Sequence, residues 1–323
     1  MAEQEKKQRK PKRDAPLIMR QGEIMPWIFI LPALIIIIIY IAYPTIYTAF
    51  LSLRNADSSA WATEACREGQ ACWGIFENYR YAITSDTMLR AFRNNILWLV
   101  VMVPGVTIGG VLLAVLVDRV KYESVAKALI FMPMAISFVG AGIIWGFVYD
   151  FPINPDNPNA PIIGLLNAII VYFGGRPIPF LSSAPWINNF ALIFVGIWIY
   201  TGFSMTILSA AVKGVPKELL EASRIDGASE WDVFWKILIP MILPTITVVM
   251  TTMTIFMLKL FDVIYVMTGG NFETNVVAIT MYQEMYINFE AGRSAAIAVV
   301  LLMLIVPILV YNIRSFQQQE AIR

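Results

Sequence analysis

Six runs of about 20 mostly apolar residues, at 26–50, 95–117, 125–149, 187–212, 237–265 and 295–313, constrain this chain more than any other feature of its sequence. A helix rising about 1.5 Å per residue needs about 20 such residues to cross a hydrocarbon layer about 30 Å thick. Lipid offers no partner to a backbone N–H or C=O, so each run is expected to be a helix bonded within itself. The chain therefore reads as an all-α polytopic membrane protein with six transmembrane helices. Charged residues make up only 15% of it, against about 25% in soluble domains. A seventh apolar stretch, 162–173, is too short to span and reads as interfacial or packed against the bundle.

Orientation follows from lysine and arginine placement. Lys6, Lys7, Arg9, Lys10, Lys12, Arg13 and Arg20 precede the first run, whereas the loops after the third and fifth runs carry only Arg176 and Arg293. Both termini are predicted to be cytoplasmic, in a multi-pass protein of the cytoplasmic membrane. The first run is too long for a signal-peptide core, and Tyr40, Tyr43 and Pro44 replace a small-residue cleavage site, so it is expected to stay as an anchor. The organisation that results is a basic tail (1–25), a first helix (26–50), an extracytoplasmic loop (51–94), a five-helix core (95–313) and a cytoplasmic tail (314–323). The basic tail is suited to anionic lipid headgroups. In the loop, five arginines are offset by five acids, Asp57, Glu64, Glu68, Glu77 and Asp86. Cys66 and Cys72 lie there too, and either a small disulfide ring or two free thiols fits an oxidising exterior.

Several kinds of chemistry are excluded. There is no histidine, which removes imidazole metal ligands, histidine bases and Ser-His-Asp hydrolysis. Two cysteines cannot build a four-thiolate zinc site. A net charge of +1 gives no bias towards nucleic acid. No GxxxxGK[ST] phosphate loop is present, so ATP hydrolysis is not expected of this chain, and no cofactor or metal is implied.

The loop between the fourth and fifth runs, 214–244, carries its own folding signals. Pro216 suits a first helical position, with Glu218 and Glu221 following where the helix dipole favours negative charge. Gly227 supplies a left-handed stop, Ser229 a cap for the next helix with Asp232 three residues on, and Pro240 and Pro244 perturb the start of the fifth run. Leu219, Leu220, Ala222, Ile225, Ala228 and Phe234 alternate with Glu218, Glu221, Arg224, Asp226 and Glu230. Such a surface fits a groove on another protein, or lies on the lipid interface. Four basic residues against five acids in 211–236 make anionic lipid a poor attractant and favour the protein partner.

Glu221, Ala222, Asp226, Gly227, Ala228, Phe234, Ile237, Pro240 and Pro244 resemble the EAA loop of the membrane subunits of binding-protein-dependent ABC importers. Ser223 and Ile239 depart from that pattern with residues of similar size. MTGGNFETN at 267–275, Tyr282, FEAGRSAAIAV at 289–299, YPTIYTAFLSL near the first run and FRNNILW at the second resemble the carbohydrate-uptake branch. Within it, the chain is most similar to the first of two paired permeases serving α-glucosides or similar oligosaccharides. The resemblance implies a second permease subunit, cytoplasmic ATPase subunits gripping Glu221, Ala222, Asp226, Gly227, Ala228, Phe234 and Pro240, and an extracytoplasmic solute-binding protein. Sugar would then cross by alternating access.

A sugar route needs hydroxyl groups and aromatic faces, and Trp198, Tyr200, Ser204, Thr206, Thr251, Thr252 and Thr254 offer them. The same residue types also serve as interface anchors and as helix-to-helix or backbone hydrogen-bonding groups. Lys259 and Asp262, three apart on an expected helical face, could form an outer gate, or Lys259 could snorkel to the interface. An ion-coupled secondary carrier is the alternative reading, but the central portions of the runs hold no buried acid for an ion relay. Gly105 with Gly109, and Gly142 with Gly146, have the spacing of close helix contacts.

Overall fold

A computed structural model describes residues 25–55, 73–151 and 164–320. The described residues are helical throughout, apart from turns and one isolated antiparallel bridge between Arg54 and Trp73. Cys66 and Cys72, with the question of their bonding, lie outside the described residues, as does most of the basic tail.

The first helix, α1 (Trp27–Leu51), belongs to a unit of its own. It contains a π-helical stretch, Ile38–Ala42, just before Pro44. Proline donates no backbone hydrogen bond, and a widened turn accommodates the missing donor. The Thr45 hydroxyl donates instead to the Ile41 carbonyl at 2.7 Å.

The remaining elements form a second unit. They are α2 (Ile75–Thr84), α3 (Asp86–Val117), α4 (Glu123–Ala135), α5 (Phe138–Val148), α6 (Leu165–Tyr172), α7 (Ile187–Lys213), α8 (Lys217–Ile225), α9 (Glu230–Leu258), α10 (Asp262–Thr268), α11 (Val277–Tyr286) and α12 (Ala291–Glu320). Helices α1, α3, α7 and α9 are each long and apolar enough to cross a membrane. The bent pair α4–α5 supplies a fifth candidate, and Ala291–Pro307 is a shorter apolar segment of α12. This set is consistent with six crossings.

The core is the contact of α3 with α7. On α3, Trp98, Met102, Val106, Gly110 and Ala114 are buried at intervals of four; on α7, Leu192, Gly196, Tyr200, Ser204 and Leu208 repeat the interval. Such rows form the ridges that interdigitate in helix packing. Gly110 faces Ser204, and Gly196 faces Met102 and Trp98, so each small residue receives a larger one. A second cluster, with Met88, Ala91, Val277, Ala296, Ile297, Leu301 and Ile305, joins α3, α11 and α12.

Three sequence expectations are corrected. The third run is not one continuous helix: its axis bends by 97° between α4 and α5. Pro133 removes a donor near the end of α4, Ile136 is extended, and the Ser137 hydroxyl accepts from Gly140 N to start α5 afresh. The fifth run is not continuous to 265, although Pro240 and Pro244, which perturb its start, do not end the helix. A π-helical stretch, Val233–Leu238, precedes Pro240, and α9 continues through both prolines to Leu258 before breaking at 259–261. The second helix starts at Asp86 rather than near Asn95, on a cap in which Ser85 Oγ accepts from Met88 N.

The short apolar stretch forms α6, held by the buried Asn167. Its amide donates to the carbonyls of Asp150 and Ile178, at 2.7 and 3.1 Å, and accepts from Ile178 N at 2.8 Å. Of the paired glycines, Gly105 and Gly109 do face α7, but a Cβ on Gly146 would meet nothing. A close backbone approach between helices is at Gly202, where a Cβ would lie 2.4 Å from the Ile130 carbonyl oxygen of α4. Between helices in lipid no hydrophobic force compensates for a lost fit. Gly202→Ala is therefore expected to destabilise the chain by about 1–3 kcal/mol through overpacking, read as a lower thermal-unfolding midpoint in detergent. Gly146→Ala should leave the midpoint unchanged or higher.

Candidate functional site

The 214–244 loop is built as its sequence dictates, with small shifts. Pro216 is the N-cap of α8 rather than its first residue. At the other end Gly227 adopts φ +88°, a conformation that costs other residues about 1–2 kcal/mol. Its N–H reaches the Arg224 carbonyl at 3.1 Å, and Ala228 N reaches the Ser223 carbonyl at 3.0 Å. These two bonds are the Schellman closure of a helix. Ser229 Oγ then accepts from Asp232 N to begin α9, and Asp232 pairs with Lys236 at 2.6 Å. The charged first turns of α9, through Lys236, belong to the loop, and its apolar part begins at Ile237.

The apolar residues of the loop divide into two sets. Leu220 and Phe234 pack on Val215, Leu238 and Ile242 and anchor the loop to the bundle. Leu219, Ala222 and Ile225 point outward, with Ile225 86% exposed. Glu221, Asp226, Gly227 and Pro240 are exposed, and Ala228 is half-buried. The loop therefore presents an acidic, partly apolar helix on a fixed turn. Trp231 and Trp235 add exposed aromatic surface beside it.

Sequence reasoning missed the partner of this loop within the chain. Glu230 accepts from Arg224 Nε at 2.6 Å and from Arg119 Nη2 at 2.9 Å, Arg119 lying in the turn between α3 and α4. Hydrogen bonds from these two guanidiniums, Arg224 first, hold the Glu230 carboxyl down to about 2, and the same carboxylate raises Arg224. A depressed carboxylate contributes stability above its unfolded value and loses it only as pH falls towards 2, so the cluster stays ionised near neutrality. The charged segment DRVKYES marks a turn, yet nothing in it specifies contact with a residue more than a hundred positions away.

The expected path residues are not equivalent. Ser204 is fully buried against Gly110 inside the α3–α7 contact. Tyr200 is buried between Phe138 and Phe256, with ring centroids 5.7 Å from each. Trp198 stands edge-on to Trp145 at 5.6 Å. The hydroxyls of Thr206, Thr251, Thr252 and Thr254 donate to carbonyls four residues earlier, so their protons are engaged by their own helices. Lys259 and Asp262 do not share a helical face: Lys259 caps the end of α9, Asp262 opens α10, and Phe261 breaks the helix between them. Both are exposed, and among the described residues no ion pair joins them.

At the far end of α10 the TGG segment turns through Gly269, Gly270, Phe272 and Glu273, all with positive φ. Phe272 and Glu273 pay strain there that glycine would not, and three asparagines hold them. Asn94 donates to the carbonyls of Glu273 and Asn275, both at 2.7 Å; Asn188 donates to Phe272 at 2.5 Å and Asn189 to Glu273 at 3.3 Å. Asn95 accepts from Val277 N at 2.9 Å. The paired asparagines at the starts of the second and fourth apolar runs were the available signal for this clamp.

Comparison with known proteins adds the following. A family model described as "Binding-protein-dependent transport system inner membrane component" matches residues 85–318, well over half of the chain. The osmoprotective compounds uptake permease protein GgtC of Synechocystis sp. is 49% identical over 296 residues, 91% of this chain and 100% of that protein. The alpha-glucoside transport system permease protein AglF of Rhizobium meliloti is 44% identical over 300 residues, 93% of this chain and 84% of that one. In fold, the chain is similar to a subunit in the crystal structure of a bacterial ABC transporter involved in the import of the acidic polysaccharide alginate. The TM-score is 0.71 at 21% identity, covering 90% of this chain and 95% of that one.

The clamp on the TGG segment is testable directly. Asn94→Ala removes the donor to the Asn275 carbonyl and leaves Glu273 with only the longer bond from Asn189, and is expected to cost about 1–3 kcal/mol. Limited proteolysis should then cut faster within 269–275, with cleavage elsewhere unchanged.

Proposed function

This chain belongs to the family of binding-protein-dependent transport system inner membrane components, and from that premise we propose that it forms half of the sugar pathway of an ATP-driven importer. Membership makes it a permease subunit of an ABC importer, embedded in a membrane and not an enzyme, with ATPase and binding protein as separate partners. A secondary carrier working alone is thereby set aside. The finer reading adds a second permease subunit, the cytoplasmic membrane as location, both termini cytoplasmic, and an α-glucoside or similar oligosaccharide as cargo. The observation that carries the cargo is the likeness to AglF along 93% of the chain.

In this reading α8 is the helix that an ATPase subunit grips. Glu221, Ala222 and Asp226 are exposed on it, while Phe234 roots it to the bundle. Gly227, Ala228 and Pro240 set its bends. ATP binding moves the gripped helix, and the two permeases change which side is open, because the ATPase pair binds the two states with unequal free energy. Thr251, Thr252 and Thr254 line the proposed path, each oxygen free to accept from a sugar hydroxyl while its proton stays with its own helix. Trp198 and Tyr200 are proposed as aromatic walls rather than polar contacts. Lys259 and Asp262, at the break between α9 and α10, are assigned to the outer gate, each acting from its own helix.

Reconstituted vesicles test this. With ATPase subunits, second permease and binding protein present, uptake of radiolabelled maltose, trehalose or sucrose should require both ATP and the binding protein. Uptake by the purified chain alone, or uptake driven by an ion gradient without ATP, would refute it. Gly227→Val tests the loop separately: a Cβ there meets open space, so only the backbone is strained. Insertion should persist while uptake per ATP hydrolysed falls several-fold; unchanged coupling would remove the turn from the mechanism.

A further inference from the structure

We infer that the turn between α3 and α4 is a second arm of the coupling device, with Arg119 and Glu230 as positioning residues that brace α8 against the bundle. This rests on the reading of α8 as the gripped helix. Glu230, the first residue of α9, uses both carboxylate oxygens: Oε1 accepts from Arg224 on the last turn of α8, and Oε2 from Arg119 at 2.9 Å. The Arg119 turn is itself tied down. Lys127 of α4 donates to Asp118 and Glu123, at 2.6 Å each, and to Ser209 of α7, and Lys213 of α7 also pairs with Glu123. The ends of α3, α4 and α7 are thus one charged knot, and Arg119 connects it through Glu230 of α9 to Arg224 of α8.

The brace is needed because α8 stands over a hollow. A cavity of about 650 Å³ opens between the loop and the α3–α4 turn, bounded by Val115, Leu220 and Phe234 within and by Arg119, Arg224 and Glu230 around it. A helix pushed towards such a space would sink into it, and the free-energy difference between the two states would be lost in local deformation rather than reach the spans. Charge-assisted hydrogen bonds resist that movement because they fix direction as well as distance. Arg119 and Glu230 are 63% and 55% exposed, so their pair adds little to folding. The inner knot differs, since Lys127 and Asp118 are only 21% and 13% exposed. Breaking it would leave partly buried charges unpaired. Removing Arg119 therefore separates coupling from folding in a way that removing Lys127 does not.

The test uses the complete importer in proteoliposomes, with hydrolysis and uptake of radiolabelled maltose, trehalose and sucrose measured together. Arg119→Ala should retain the ATPase subunits on purification and lose three- to tenfold in uptake per ATP, and Arg119→Lys should recover at least half. Arg119→Gln carries the same expectation if the alanine variant fails to insert. Nitroxide labels at Lys121→Cys and Lys217→Cys, with Cys66→Ser and Cys72→Ser, give a reading that needs no sugar. Their distance distribution should stay narrow with and without ATP, and broaden when Arg119→Ala is added. Uptake per ATP within twofold of the native value, or a distribution that Arg119→Ala leaves unaltered, overturns the brace. If the native complex moves none of the three sugars, the cargo assignment fails, and the distance measurement still decides the brace.

Discussion

Contact between α3 and α7 is the interaction on which the second unit depends. Both helices bury rows spaced by four residues, and small residues on each lie opposite larger ones on the other. In lipid, apolar side chains gain nothing merely by leaving the solvent, so fit rather than burial selects the arrangement. A pair of long helices interlocked in this way is a stiff axis. The bent α4–α5 pair leans on it through Gly202, and α9 packs along it as well.

Polar groups do their work at the two ends of that axis, where water is available and hydrogen bonds are directional. At one end, asparagines from the third turn of α3 and the first turn of α7 hold a loop in conformations that Phe272 and Glu273 would not adopt alone. At the other, the last turns of the same two helices enter the knot of Lys127, Asp118, Glu123 and Ser209. Both ends of one rigid pair are therefore fastened to loops facing opposite ways. For an importer permease that is a mechanically apt arrangement, since a movement imposed at one loop has a stiff route to the other side.

The proposed role of α8 draws its physical content from contrast. Its inner face is anchored by Leu220 and Phe234, its C-terminus is stopped by a two-bond closure at Gly227, and its outer face leaves Leu219, Ala222 and Ile225 exposed. A helix so firmly positioned and so little covered is suited to being held by another protein. The hollow beneath it explains why a charged brace from the α3–α4 turn accompanies an apolar anchor that reaches only one side.

Much of this architecture was legible in the sequence because its signals are local. Apolar run length specified the all-α membrane class, and Gly227 and Ser229 marked the loop's turn, since a left-handed stop and a side-chain cap depend on neighbouring residues alone. The EAA-like spacing pointed to the family for the same reason. What tertiary structure decided was everything set by distant partners or by competition between backbone and packing. The third run breaks at Ile136 and Ser137 although its hydropathy is continuous, and α9 widens a turn before Pro240 and continues through Pro244. Lys259 and Asp262 fall on separate helices, and Ser204 is buried against Gly110. Arg119 meets Glu230 only because α3 ends where α9 begins, at the same side of the bundle. Hydropathy records which residues avoid water, a property of each residue; which residue meets which is a property of the packed helices, and only the folded chain contains it.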